Sequence, residues 1–377
     1  MGPAVALGLA RFAYALLLPS MRSNLDWSFT TAGAMNTANA IGYLIGAIFS
    51  ASIANRFGTR RAFMVSFAIT VLLLLGPAYT TNVILLIVLR TLVGIFGAII
   101  FITGAGLVSV LATKGSSKWG AILLGIYFSG AGIGIVASGL GIPYLLSVTS
   151  TTNGWRWGWI FLAALGAIAF TMATLASLAD KNNSSLDTKS AKNWPARNFI
   201  TLIASYGTFG IGYIAYMTFI IAFLKSHGFS PNLISSFWIL LGIASMIGTF
   251  AWAFPIAKLH GRYSLFLVLV ILSIGALLPL ISQSILFVFG SALLFGGSFL
   301  SVITAVTAVT RKALQPHHMT PAIGGLTVAF SLGQCLGPVL AGAVSNGSSG
   351  LQVGLTLSVG ILFSAAFIAL FQPRYTN

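Results

Sequence analysis

Acidic residues are almost missing from this chain. Asp26, Asp180 and Asp187 are the whole complement in 377 residues, and charged side chains of either sign make up only 6%. A soluble protein carries roughly a quarter charged residues, so a surface kept in water is excluded. There is one cysteine, Cys335, which rules out an internal disulfide and leaves the redox compartment unread. No glycine loop followed by lysine is present to cradle phosphates, and no Ser/His/Asp or Cys/His set is placed for catalysis. His317 and His318 stand together in a basic segment without acids or cysteines beside them, a poor donor set for a metal. An enzyme within the apolar segments would need paired carboxylates, a Ser/Lys pair or a metal site. No enzyme activity, cofactor or metal is therefore expected.

What is abundant is apolar: 57% of the residues are hydrophobic, with 42 glycines and 12 prolines. The lipid bilayer is the solvent such a chain needs, and glycine and proline are frequent in membrane helices. The formal charge of +16 does not predict nucleic-acid binding, because the cations sit in short clusters between apolar runs. Hydropathy predicts twelve spans near 3–20, 31–54, 62–79, 84–112, 119–146, 157–178, 199–224, 233–257, 264–282, 285–310, 321–344 and 351–371. The N-terminal run has no basic segment ahead of it and carries Arg11 in its middle, so it reads as a first span and not a signal peptide. Its abrupt start leaves room for a short cytoplasmic leader upstream. With the N-terminus inside, fourteen cations fall in cytoplasmic loops and the tail, among them Arg56, Arg60, Arg61, Lys114, Lys118 and Arg311. Only Arg22, Arg156 and Lys225 fall outside. This asymmetry predicts cytoplasmic termini, with a bacterial cytoplasmic membrane as the expected location.

The longest polar stretch, 179–198, predicts a linker between an N-terminal six-helix bundle (1–178) and a C-terminal one (199–377). A shift of 203 places Gly130, Gly134 and Gly139 on Gly333, Gly337 and Gly342. A shift of 202 places Gly8, Ala13 and Tyr14 on Gly210, Ala215 and Tyr216. Small residues four or five apart on one face let helices pack closely, so these glycines are expected at helix contacts. Duplicated halves with a site between them are a common transporter plan.

Between spans two and three stands Ala51-Ser-Ile-Ala-Asn55-Arg56-Phe-Gly58-Thr-Arg60-Arg61. It resembles the signature loop of the major facilitator superfamily, G-x-L-A-D-R-x-G-R-[KR], with Ala51 for the leading glycine and Asn55 for the aspartate. Arg90-Thr-Leu-Val-Gly94 is similar to that family's R-x-x-x-G motif, and the glycine-rich run 130–143 is similar to its antiporter-associated stretch. The opening Gly8-Leu-Ala-Arg11-Phe12-Ala-Tyr14 resembles the YbfB/YjiJ-type branch. The resemblance implies an all-α membrane protein of two pseudo-symmetric six-helix bundles that moves a small-molecule substrate by alternating access, as a monomer, with or without a coupling ion. It also implies that Asn55, Arg56, Gly58, Arg60 and Arg61 form a gating loop, and that spans 1, 4, 7 and 10 line a central cavity.

Arg11 and Arg90 are the two cations inside spans, where a charge costs about 2.5 kcal/mol or more. No span holds a carboxylate or histidine to neutralise them or to carry a proton, unless Asp26 reaches Arg90 from the outer loop. Both are expected to bind a small organic anion, because a guanidinium holds a carboxylate through two parallel hydrogen bonds. Arg90 as a structural residue bound to the Asn36/Asn39 face is the competing expectation. Tyr14, Tyr213, Tyr216, Asn36, Asn39 and Gln334 are the polar residues expected to complete the site. Efflux of a neutral or lipophilic compound, with Arg11 structural, remains the alternative.

Overall fold

The structure is a computed structural model, and it describes residues 1–112, 117–149, 153–179, 194–259, 261–315, 318–347 and 350–373. Most of the expected linker, 180–193, lies outside these, as do Lys114, Asp180, Asp187, His317 and Arg374. Among the described residues twelve helices are long and apolar enough to cross a bilayer. They are α1 (Ala4–Asn24), α2 (Phe29–Phe57), α3 (Thr59–Tyr79), α4 (Val83–Leu111), α5 (Ile122–Val148), α6 (Gly154–Ala176), α7 (Ala196–Ser226), α8 (Pro231–Lys258), α9 (Arg262–Ile281), α10 (Ile285–Ala313), α11 (Pro321–Val344) and α12 (Gly350–Leu370). Each end falls within four residues of its hydropathy-based expectation.

Local chemistry marks the repeat. Ser28 caps α2 by accepting from the Thr31 N–H (3.1 Å), and Ser230 caps α8 by accepting from the Leu233 N–H (3.4 Å). The two serines stand 202 positions apart, and each supplies the side-chain oxygen that a helix start lacks. Gly58 ends α2 at φ +86°, a backbone conformation that an L side chain rarely adopts, and its N–H bonds the Ala54 carbonyl (2.9 Å). Asn55, Arg56 and Arg61 are exposed around it, and Arg60 is half-buried.

Packing follows the same two-fold plan. In the first half α1 packs on α5, α2 on α4, and α3 on α4 and α6; in the second, α7 packs on α11 and α12, α8 on α10, and α9 on α10 and α12. Across the halves α5 meets α8, α2 meets α11, and α1 meets α7. The repeated glycines sit at these contacts. A Cβ on Gly130 would meet Ala4 of α1, and one on Gly333 would meet the Gly207 carbonyl of α7. A Cβ on Gly134 would meet Ala4 and Gly8, and one on Gly337 would meet the Ile211 carbonyl. Ala4 and Gly207 are 203 apart, as are Gly8 and Ile211. Gly139 and Gly342 face the opposite half instead, against Trp238 and Ile239 of α8 and against Phe29 of α2. The glycines thus hold α1 to α5 and α7 to α11 within the bundles, and α5 to α8 and α2 to α11 between them.

One local feature escaped the sequence. Residues Ala4–Phe12 of α1 wind as a π-helix, closed by the Ala13 N–H on the Gly8 carbonyl five residues back (3.0 Å), before ordinary α-helix resumes at Tyr14–Asn24. Such turns are rare and recur at functional sites. Arg11 lies within this one.

Candidate functional site

The two buried arginines have opposite surroundings. Arg90 is 2% exposed and bound on every side by protein. Its Nη1 donates to the Ala10 carbonyl of α1 (2.6 Å), its Nη2 to Asn36 Oδ1 of α2 (3.0 Å) and its Nε to the Met35 carbonyl (3.3 Å). The Tyr14 ring stands 4.9 Å from its guanidinium carbon and the Trp159 ring 5.7 Å, within the range where ring faces attract a cation. Around it Asn39 Nδ2 donates to the Arg90 carbonyl (3.2 Å), Tyr14 Oη to the Ala32 carbonyl (2.8 Å), and Asn36 Nδ2 to Thr218 Oγ1 of α7 (2.7 Å). Asp26 is exposed in the α1–α2 turn, and Arg90 turns its hydrogen bonds to the carbonyls and Asn36 instead.

Arg11, equally buried at 2% exposed, lies on a cavity wall. Only its Nη2 finds a hydrogen-bond partner among the described residues, Gln334 Oε1 of α11 at 2.7 Å. Its Nε is buried with no partner, and the Tyr43 ring lies 5.2 Å from its guanidinium carbon. Gln334 in turn donates through Nε2 to Tyr213 Oη (2.5 Å). One side chain thereby joins the cation of the first half to a phenol of the second.

The cavity is open on one side, and its empty space together with the solvent at its mouth comes to ≈560 Å³. Its lining comes from α1, α2, α4, α7, α10 and α11, with Arg11, Tyr43, Tyr213, Phe330 and Gln334 among the residues. Most of these residues lie between the middle of their helices and the side on which the α2–α3 loop stands, with Tyr213 and Gln334 just past the midpoints of α7 and α11. The opposite side is closed. There the Phe29 N–H donates to Asn346 Oδ1 (2.8 Å), Asn346 Nδ2 to Thr30 Oγ1 (2.7 Å), and Thr37 Oγ1 to the Cys335 carbonyl (2.8 Å), joining α2 to α11 and to the turn that follows it. Ser235 Oγ donates to the Gly139 carbonyl (2.6 Å) and Trp238 Nε1 to Ser138 Oγ (3.2 Å), joining α8 to α5.

Of the expected site residues, the structure brings Arg11, Tyr213 and Gln334 together on the cavity. It does not bring Arg90, Tyr14, Asn36, Asn39 or Tyr216 to it. The first four form the network that ties α1, α2, α4 and α7, and the Tyr216 hydroxyl shares a hydrogen with Ser291 Oγ of α10 (2.5 Å). Tyr216, three residues beyond Tyr213 and on the same side of α7, stands further toward the closed side, with its ring on Phe295 (4.3 Å between centroids) instead of on the cavity. Lining residues left out of the expectation are mostly aromatic: Phe209, Phe299 and Phe330 look like lipid-facing residues until the fold is known. The spacing of four from Phe209 to Tyr213 and from Phe330 to Gln334 was the available signal.

Known proteins of similar sequence and shape agree with this architecture. The family described as uncharacterised MFS-type transporter YbfB matches residues 3–370. Over 375 residues the chain is 23% identical to the uncharacterized MFS-type transporter YttB of Bacillus subtilis, covering 97% of this chain and 92% of that one. An uncharacterized transporter of Schizosaccharomyces pombe is 26% identical over 164 residues, 42% of this chain. That match spans only 32% of the yeast protein's length. Among solved structures, the nucleoside transporter NupG superposes with a TM-score of 0.75 at 14% identity, over 98% of both chains. A bacterial homologue of the human lysosomal transporter Spinster, in an inward-facing and occupied conformation, gives 0.73 at 17% identity, over 99% of this chain and 96% of that one. At such identities the structures speak for the fold alone. The family match runs almost from end to end, and this chain is therefore a member of the YbfB-type transporter family of the major facilitator superfamily.

Proposed function

We propose that this transporter carries a small organic anion by alternating access, with Arg11 as the group that holds the negative charge. The observation that carries the reading is the Arg11 guanidinium: buried, on the cavity wall, its Nε without a partner and only its Nη2 hydrogen-bonded. A buried charge left under-satisfied in a membrane protein is a costly arrangement that function explains better than stability. Tyr213 and Gln334 assist, and Arg90 with its partners is the frame that fixes α1 against α2 and α4. The six cavity-lining helices and the sealed far side are consistent with a carrier open to the cytoplasm, the side to which the loop cations assign both termini. The domain division at 179–198 and the gating role of Asn55–Arg61 belong to the same reading: two bundles rock about the site and the loop between α2 and α3 moves with the first.

No Asp, Glu or His lies within the twelve spans. A proton relay through such side chains is thus not available, and facilitated passage or exchange of one anion for another fits better. The test is thermal unfolding of the purified protein against a panel of organic anions and neutral analogues. A ligand bound only to the folded state raises the apparent stability by mass action. Anions are expected to stabilise the wild type and to leave Arg11→Gln unmoved. Stabilisation of both proteins by neutral compounds alone would replace the anion reading with efflux of a lipophilic solute.

A further inference from the structure

The two halves line the cavity differently: the first supplies its cation, beside Phe12, Tyr43 and Phe101, and the second a set of aligned rings. The only cation among its lining residues is Arg11, from α1. The facing wall, from α7, α10 and α11, is built of rings: Tyr206, Phe209, Tyr213, Phe299 and Phe330. These rings are nearly parallel. Tyr206 and Phe330 lie 4.6 Å apart between centroids at 6°, Phe209 and Tyr213 4.8 Å at 20°, Tyr213 and Phe330 5.5 Å at 13°, and Tyr213 and Phe299 6.3 Å at 14°. The lining rings of the first half do not share this alignment: Phe12 meets Phe299 edge to face at 87°, and Tyr43 and Phe101 are tilted by 53°. Edge-to-face packing presents mixed edges and faces to a cavity, whereas an aligned set presents one orientation to whatever enters.

The polar chain Arg11–Gln334–Tyr213 runs from the cation into this stack. Tyr213 accepts from Gln334, so its own O–H hydrogen is left to donate. A carboxylate held by the free side of the Arg11 guanidinium would place an attached ring beside Tyr213, in line with the planes of Phe209 and Phe330.

We infer that the substrate is a planar aromatic monocarboxylate: its charge is read by Arg11 of the first half, and its ring is read by the aligned rings of the second. The assignment rests on the anion reading above and narrows it. One cation suits one negative charge, and a flat ring gains from aligned faces what a puckered ring of equal charge and similar size does not. Phe330, which stacks on Tyr206, Phe209 and Tyr213 together, is the specificity residue. A carrier that reads its substrate from both halves has a direct means of drawing them together around it.

The experiment compares the affinities of benzoate, cyclohexanecarboxylate and benzamide for the full-length purified protein, by titration calorimetry and by thermal stabilisation. Benzoate is expected to bind the wild type about tenfold more tightly than cyclohexanecarboxylate, the worth of one to two stacked ring contacts. Phe330→Leu is expected to bring that ratio near one, while benzoate binding still depends on Arg11. Phe209→Leu gives a second reading of the ratio, and the wild-type ratio alone decides if both variants fold poorly. Equal binding of the two carboxylates, with both lost in Arg11→Gln, overturns the aromatic assignment and leaves the anion reading standing. Binding of benzamide with neither carboxylate overturns both.

Discussion

Replacing Arg90 by lysine keeps the charge and removes the geometry, and it separates the frame from the site. The Arg90 guanidinium reaches the Ala10 carbonyl, the Met35 carbonyl and Asn36 Oδ1 through three different nitrogens. An ammonium is a compact point charge and cannot span three acceptors on two helices in this arrangement. At least one backbone carbonyl contact and the Asn36 contact would be lost. Hydrogen bonds to charged groups are worth about 1.5–3 kcal/mol each, so Arg90→Lys, with two lost, is expected to lose about 3–6 kcal/mol of stability. The Tyr14 and Trp159 rings attract an ammonium as well as a guanidinium, so the loss is carried by the hydrogen bonds. The assay is thermal unfolding in detergent, followed by tryptophan emission, with Arg11→Gln alongside. Arg11→Gln loses one charged hydrogen bond but also removes a buried charge whose Nε is unsatisfied, and because these effects offset it is expected to stay within about 1 kcal/mol of wild type. It is expected instead to lose its response to anions. The reasoning is refuted if Arg90→Lys unfolds at the wild-type temperature, or if Arg11→Gln is the less stable of the two.

Three more outcomes follow from particular contacts. Gly134→Leu and Gly337→Leu are each expected to destabilise by about 2 kcal/mol or more, because the new side chain meets backbone of α1 or α7 that cannot withdraw. Gly324→Ala, where nothing lies within 4 Å of the added Cβ, is the control expected to melt like wild type. Asn346→Ala removes two hydrogen bonds between α2 and the turn that follows α11, together worth about 1–2 kcal/mol, and is expected to raise the outward-open population. Labelling of the sole cysteine, Cys335, by a membrane-impermeant maleimide from outside reads this as a severalfold faster rate, and an unchanged rate would count against the seal. In vesicles, uptake of a labelled anion is expected to run at least about tenfold faster when the lumen holds the unlabelled anion; equal rates in empty vesicles would exclude exchange.

The twelve spans were legible because a bilayer demands long apolar runs, and nothing in a tertiary fold can override that demand. The repeat was legible through its glycines, since a close helix contact tolerates little else: Gly134 and Gly337 stand where their offset placed them. The site was only partly legible. Spacing puts Tyr213 and Tyr216 on one side of α7, yet only one reaches the cavity, because the neighbouring α10 offers Ser291 to the other. The π-turn through Arg11 has no sequence signature that periodicity detects, and it changes which residues share a face. Phe330 and Phe209 are invisible as site residues for a simpler reason. In a chain with 28 phenylalanines, a ring on a cavity and a ring in lipid are written with the same letter.

Arg11 and Arg90 lie in the same bundle, both 2% exposed, and the difference between them bears on how the carrier runs. Arg90 has dipoles on three sides, and its cost is met whether the carrier is loaded or empty. Arg11 has one amide and the Tyr43 ring, its Nε is buried without a partner, and only a small part of its guanidinium meets the open cavity. Closing the empty cavity would remove even that access to water. An isolated arginine at the centre of a membrane helix costs about 2.5–3.5 kcal/mol even on insertion scales, which would lower the population of an empty closed state about a hundredfold. No Asp, Glu or His in the spans stands ready to compensate. On the anion reading proposed above, a bound anion would compensate, and only in the loaded carrier. The guanidinium that selects the substrate would then also set the gate: the loaded protein would close and cross, the empty one would be held open, and net movement in one direction would give way to exchange.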